Sequence, residues 1–247
     1  MKTKYKVSIF FITALLLLSS FNIQANNPSS KSDPEKDKIL IYILRNILTR
    51  SHFVVKDMND DFSEYVYTEF INGLDPNKRY FTQKDLKDFS EYKYLIDNQL
   101  LKEDVTFYNL VYDRFTNKIK NAKSYYGDLL AQPFNFKKKE TIDVDYEKIP
   151  FAKNENQLIN YWRKQLKLST LIRIQDKIEK QKNSALKDKN YKVKNFKTLE
   201  KEARLEVLKN MDDLYVRIEE LEHEDWFSTF LNSVVGAFDP HTNYMAR

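Results

Sequence analysis

The chain has 247 residues, no cysteine, only three glycines, and 41 lysines and arginines against 36 acidic residues. The lack of cysteine excludes disulfide bonds, and three scattered glycines exclude a glycine-rich phosphate-binding loop. Scarce glycine and proline, with abundant lysine, glutamate, leucine, isoleucine and aromatic residues, predict an all-α protein.

The first 25 residues have the pattern of a secretory signal peptide. Three lysines precede an apolar run over 7–18, and Ala25 comes just before a polar stretch. Because a membrane span needs about 20 apolar residues, an uncleaved anchor is the less favoured alternative, and membrane contact is expected only through such an anchor. We therefore expect export to the periplasm, cleavage after Ala25 and a polar spacer over 26–33. Loss of the three lysines lowers the formal charge from +5 to +2, which argues against a nucleic-acid partner.

The first two helices are predicted over about 34–52 and 60–73. Asp33 followed by Pro34 is a favourable helix start, because the carboxylate caps free N–H groups and proline fits the first turn. Gly73 lies where a C-terminal glycine cap is expected, and the Asp-Pro pair that follows turns the chain.

The middle of the chain continues with two helices and a loop. Thr82 and Asp85 form a short relative of the capping box, which predicts the start of a third helix. Apolar residues at alternating spacings of three and four over 105–126 predict a fourth helix that packs against another. The two prolines and the lysine run of 132–150 predict a long surface loop, with a short extended piece at 141–144.

The last part of the chain is predicted to form a long hairpin. A fifth helix covers about 155–178 and a sixth begins near Asn195. The lysine-rich residues 180–195 between them form either a solvated hairpin tip or a mobile connection. The apolar pattern shifts near 222–225, which indicates a kink or a restarted helix. The whole is predicted to be an all-α bundle of six to seven helices with long antiparallel hairpins.

No group of residues has the spacing of a catalytic, cofactor or metal site. His223 and Glu224 resemble half of a zinc-protease helix motif, but Phe227 stands where the second histidine is needed, so an exposed polar pair is favoured. No serine has the small neighbours of a nucleophile elbow, and the many lysines prevent a Ser–Lys pair from being identified by spacing. The aromatic residues interleaved with lysine are interpreted as core rather than as base-stacking groups.

Two segments together resemble a known family. Gly73 to Phe81, with Asp85 beyond it, contains a Leu-Asp-Pro…Tyr-Phe…Asp pattern, and the segment from Phe238 contains Asp-Pro-His-Thr-X-Tyr. In this order, behind a signal peptide, they resemble the N-terminal helical region of the tail-specific, or C-terminal processing, serine proteases. The matching positions are Leu74, Asp75, Pro76, Tyr80, Phe81, Asp85, Asp239, Pro240, His241, Thr242 and Tyr244.

The resemblance implies a periplasmic serine endopeptidase that recognises apolar C-terminal tails and uses a Ser–Lys dyad. The family places its PDZ domain and its dyad after the second segment, so both are expected to be missing from this chain, as in a fragment or a truncated reading frame. Residues 34–244 are then a helical N-terminal domain that acts as a scaffold or docks substrates or an adaptor protein, with no catalytic residue, cofactor or metal. The alternative is a stand-alone periplasmic helical binding or chaperone-like protein.

The two Asp-Pro segments can also be interpreted from their residues alone, without the family resemblance. An aspartate carboxylate accepts backbone N–H groups within a turn, and proline fixes the direction in which the chain enters it. Phe81, Phe238 and Tyr244 are then expected to hold the turns against helix faces. We therefore predict structural roles for the motif residues in preference to direct substrate contact.

Overall fold

The computed structural model describes residues 33–51 and 56–245. The predicted signal peptide, most of the polar spacer and His52 lie outside these residues. The described residues contain helices and no β-strand, which confirms the all-α class. A short 3-10 turn at Ser90–Tyr92 accompanies eight α-helices: α1 Pro34–Arg50, α2 Asp60–Leu74, α3 Gln83–Phe89, α4 Ile96–Leu101, α5 Thr106–Ala131, α6 Glu155–Lys187, α7 Phe196–Glu219 and α8 His223–Gly236.

Short polar side chains start most of these helices, as the sequence predicts. Asp33 accepts hydrogen bonds from the backbone of residues 35 and 36 at the start of α1. Asn59 and Asn195 cap α2 and α7 in the same way, and Thr82 forms a reciprocal capping box with Asp85 at α3. Each cap satisfies N–H groups that have no partner within the helix.

Three local predictions are wrong. Gly73 does not cap α2, because the helix continues to Leu74 and the residues with positive φ are Lys78 and Glu103. The predicted third helix is broken into α3, the 3-10 turn and α4, which raises the helix number above six or seven among the described residues. Residues 141–144 form no strand, and the isolated bridge in the described chain joins Thr82 to Ala152.

The core lies between α2, α5 and α8. Phe70 of α2 makes an edge contact with Phe230 of α8 at 5.2 Å between ring centroids and packs beside Phe107 and Tyr108 of α5. All four side chains are buried. Aromatic rings bury large apolar areas and prefer such edge or tilted geometries, so this cluster stabilises the centre of the bundle.

The α6–α7 hairpin packs against α5 through its base only. The last buried residue of α6 is Ile174, and the first of α7 is Leu199. Residues 175–198, here called the hairpin tip, contain no buried side chain. The thirteen helical residues from 175 to 187 extend about 20 Å beyond the packed part. No helix in the described part of the chain has the length and hydropathy of a membrane span.

Candidate functional site: two Asp-Pro turns and a basic groove

The first Asp-Pro turn, residues 74–85, is built around a buried carboxylate. Asp75 is fully buried and accepts backbone N–H groups from Arg79 at 2.6 Å, Tyr80 at 2.8 Å and Phe81 at 2.9 Å. Burial raises the pKa of the Asp75 carboxyl, and the three N–H groups counteract part of this rise. One carboxylate therefore holds the turn together, because it supplies the hydrogen bonds that these three N–H groups would otherwise make to water.

The side chains of the turn are held by α5, α6 and α7. Phe81 is fully buried, with an edge contact to Phe89 at 5.3 Å between ring centroids. Tyr80 makes an edge contact with Trp162 of α6, and its hydroxyl lies 3.3 Å from the hydroxyl of Tyr215 in α7. Leu74 is buried as well, whereas Pro76 is exposed at the turn surface. The turn is thus a fixed junction between helices.

Two residues of α6 complete this junction. Trp162 donates its indole N–H to the carbonyl oxygen of Arg79 at 2.8 Å. Gln165 accepts from the Arg79 side chain and donates to the carbonyl oxygen of Asn77 at 3.3 Å. Neither residue belongs to the two sequence motifs. A buried tryptophan on an apolar stripe is a usable signal, because its N–H needs an acceptor.

Lys78 has a backbone conformation that the sequence does not reveal. Its φ of 52° lies in the left-handed region, which L residues seldom adopt. The residue is buried, and its ammonium lies 3.9 Å from the centroid of the Phe151 ring. Burial lowers the pKa of the Lys78 amine, and the nearby Asp75 carboxylate counteracts this effect. The lysine therefore joins the turn to the segment that precedes α6.

Asp85 closes the turn with both a cap and an ion pair. Its carboxylate accepts from the Thr82 backbone N–H at 2.8 Å and the Thr82 hydroxyl at 2.7 Å. Arg114 of α5 forms a salt bridge with it, and the Lys118 amine lies 3.6 Å away. Burial acts to raise the pKa of Asp85, but the hydrogen bonds from Thr82 and Arg114 outweigh it and the pKa is lowered.

The closing turn, residues 238–244, has the same type of aspartate contact in a more exposed setting. Asp239 accepts from the His241 backbone N–H and from the Thr242 hydroxyl, each at 3.0 Å. Tyr244 exchanges backbone hydrogen bonds with the Asn232 side chain at 2.7 and 3.0 Å. Pro240 and His241 are exposed. The segment after α8 is thus folded back against the helix that precedes it.

The two turns lie at opposite ends of one helix pair. Phe238, just after α8, makes an edge contact with Phe62 near the start of α2, at 5.7 Å between ring centroids. The first turn follows the other end of α2, whose fifteen residues span about 22 Å. The motif residues are therefore not brought together into one site.

His223 is buried, so its predicted exposure is wrong. Its Nε2 lies 2.8 Å from the Asp37 carboxylate, and its Nδ1 lies 3.4 Å from the Tyr108 hydroxyl. The restart of the chain at α8 turns this first helical residue towards α1 and α5. The side chain joins three helices, and within the described residues no group of three or more histidines or acids has the arrangement of a metal site.

A groove lies between the segment before α6 and the surface of α6 itself. Two adjoining clefts of about 230 and 220 Å³ share Thr141, Ile142 and Lys164. Their walls combine apolar and basic side chains with the carboxylates of Glu140 and Asp143. We call this the basic groove; its lining includes Phe136, Lys138, Lys139, Ile142, Tyr146, Ile149, Tyr161, Lys164, Leu168 and Leu171.

The wall of the basic groove is fixed by a clamped carboxylate. Glu140 accepts from Arg163 at 2.6 and 2.9 Å and from Lys167 at 2.5 Å. Hydrogen bonds from Arg163, followed by those from Lys167, lower the pKa of Glu140. Within the described residues, the backbone N–H groups of 141–144 make no hydrogen bond. Free donors thus lie beside apolar walls, an arrangement that suits a bound polypeptide.

These features define a helical bundle with two Asp-Pro turns and a groove on the surface of α6. Comparison with known proteins gives a consistent assignment, because the family described as the tail-specific protease N-terminal domain matches residues 44–247. The chain belongs to this family. It is 24% identical over 200 residues to the tail-specific protease of Haemophilus influenzae, across 81% of this chain and 26% of that protein. The match thus spans about a quarter of that relative's length.

Proposed function

We propose that this chain is the non-catalytic N-terminal part of a periplasmic tail-specific serine endopeptidase. In this role it forms a scaffold and docks polypeptide substrates or an adaptor protein. Membership of the family supports the first part of the proposal. The observation that carries the docking role is the basic groove, because its apolar walls, free backbone donors and lysines complement an apolar tail that ends in a carboxylate.

A binding measurement tests the docking role directly. Residues 26–247 retain every described residue of the chain. A labelled peptide that ends in three apolar residues with a free carboxylate should bind, and the same peptide with an amidated end should bind more weakly. Fluorescence anisotropy gives both dissociation constants. Equal affinity for the two forms would contradict a role for the groove lysines.

A substitution that places a charge in the groove distinguishes specific docking from non-specific hydrophobic binding. Leu171→Asp should weaken peptide binding by about tenfold or more, because an apolar contact becomes a desolvated charge. Leu205→Asp is the matched control, since the two leucines are 43% and 49% exposed and only Leu171 lines the groove. Equal losses in both variants would remove the groove from the proposal.

The absence of peptidase activity has a separate test. Purified residues 26–247 should not cleave a substrate with an apolar tail, and the DNA after codon 247 should encode a PDZ domain and a Ser–Lys core. Turnover above background by this chain would contradict the non-catalytic assignment. A stop codon with no such sequence nearby would favour the stand-alone binding protein.

A further inference from the structure

The hairpin tip concentrates positive charge that the whole-chain balance conceals. The tip, residues 175–198, contains eight lysines and three acidic residues, Asp176, Glu179 and Asp188. Lys177 pairs with Glu206 at 2.6 Å. Lys194 pairs with Glu202 at 2.7 Å. Within the described residues no acid lies within ion-pair distance of the remaining six, which are Lys180, Lys182, Lys187, Lys189, Lys192 and Lys197. These amines face water and are available to an anionic partner.

Apolar side chains are exposed at the same end of the hairpin. Leu186 is 78% exposed and Val193 is 63% exposed, and both border an apolar cleft with Ile178. Phe196 is half exposed and makes an edge contact with Phe136 at 5.9 Å between ring centroids. Because this end projects beyond the last buried residues of α6 and α7, no other described helix covers these side chains.

The tip is ordered by its own hydrogen bonds. Gln181 bonds both the backbone N–H and the carbonyl oxygen of Lys194, at 3.1 and 3.3 Å. Asp188 accepts from the backbone of Asn190 at 2.8 Å, which closes the turn after α6. Lysines and apolar residues are therefore presented together on a defined surface.

We propose that the hairpin tip binds the surface of an anionic lipid bilayer. Clustered lysines are attracted to the negative potential of such a surface, and adjacent apolar side chains enter the boundary between headgroups and acyl chains. The long lysine stems allow their amines to remain at headgroup level while Leu186 and Val193 enter the boundary. This proposal is independent of the docking role of the basic groove. It departs from the expectation that membrane contact is confined to residues 1–25.

Lipid fits this surface better than nucleic acid or an acidic protein. Single-stranded nucleic acid is bound by stacking on aromatic rings, whereas the most exposed apolar residues at the tip are Leu186 and Val193. A stable protein interface has a densely packed, charge-depleted centre, whereas lysines are interspersed with every apolar residue of the tip. An interfacial lipid site combines charge and exposed aliphatic groups in this way.

Vesicle co-sedimentation of residues 26–247 tests the proposal. The fragment lacks the apolar run at 7–18, which removes that segment as a source of lipid binding. It should bind phosphatidylcholine vesicles that contain phosphatidylglycerol and should not bind phosphatidylcholine alone, and added salt should weaken the binding. Failure to bind the anionic vesicles would overturn the proposal, whatever the result of the peptide assay.

Charge-matched variants locate the lipid contact. A quadruple Lys→Gln variant at the tip should reduce the partition coefficient by about tenfold or more; its positions are Lys182, Lys187, Lys189 and Lys192. The control removes the same charge elsewhere, at the exposed Lys84, Lys87, Lys102 and Lys120. Circular dichroism should show the same helix content for both variants. An equal loss of binding in the control would overturn the assignment to the tip.

A second pair of variants tests the apolar contribution. Leu186→Ser with Val193→Ser should reduce the vesicle binding that remains at high salt by several-fold. Leu205→Ser with Val216→Ser makes the same changes at exposed positions nearer the base of the hairpin and should leave it unchanged. Tip-dependent binding of polyglutamate or an oligonucleotide, with no binding of vesicles, would overturn the lipid proposal.

Discussion

The first Asp-Pro turn and the hairpin tip place similar polar residues in opposite environments. Each contains hydrogen-bonded aspartates and lysines, yet Asp75 and Lys78 are buried with close partners, whereas the tip has no buried side chain. A buried polar group is costly to leave without a partner, and an exposed one is not. Similar residue types therefore form a rigid junction in one region and leave the other available for binding.

The largest expected effect is at the centre of the first turn. Asp75→Ala removes the acceptor of three backbone N–H groups in a fully buried site, and should lower the free energy of unfolding by about 4 kcal/mol. Urea denaturation monitored by circular dichroism measures this change. Asp239→Ala is the matched control in the more exposed closing turn and should cost about 1 kcal/mol. Equal costs would mean that burial does not distinguish the two turns.

A smaller, pH-dependent effect is expected at the edge of the first turn. The folded pKa of Asp85 is lowered from the ordinary 3.8, so the unfolded state binds more protons as the pH falls. The Asp85 carboxylate stabilises the protein fully at pH values above its pKa in the unfolded state. This stabilisation is lost as the pH falls through its pKa in the folded state. Asp85→Asn should therefore destabilise the protein by about 2 kcal/mol at pH 7 and by clearly less at low pH.

Urea unfolding of the native protein and of Asp85→Asn at several pH values measures how the difference between their free energies of unfolding changes with pH. A difference that grows as the pH falls would contradict the lowered pKa. Asp88→Asn serves as a comparison, because Asp88 contacts the same Arg114 at 3.2 Å but has a side chain that is 40% exposed.

The smallest effect is expected at the hairpin tip. Leu186→Ser should change the free energy of unfolding by less than about 0.5 kcal/mol, because the side chain is already exposed to water. Ile174→Ser, at the last buried position of α6, should cost about 3 kcal/mol. Thermal unfolding compares the two. A large loss at Leu186 would show that the tip packs against something, and the contrast between the two regions would then fail.

Local features were predictable where the residues that decide them are close in sequence. Thr82 and Asp85 are three positions apart and satisfy each other's backbone, so their capping box follows from sequence alone. Asp33 and Asn195 cap their helices for the same reason. The acceptor role of Asp75 was also foreseeable, since all three of its donors lie within the next six residues.

Contacts between distant segments were not predictable in this way. Trp162 and Gln165 hold the first turn from more than 80 positions away, and neither belongs to a motif. The sequence pattern predicted His223 at the surface, but its contact with Asp37, 186 positions earlier, lies in the core. Gly73 fits a capping pattern, but α2 continues past it and the following turn takes its positive φ at Lys78.

The sequence by itself determined the all-α class, the helix starts and the family, because apolar periodicity, capping side chains and two short motifs are local properties. Only the tertiary structure decided which polar residues are buried and which remain available. Burial depends on how helices pack, and packing brings together side chains whose separation along the chain carries no signal. That is why the lysines of the turn and of the tip look alike in the sequence and differ in the fold.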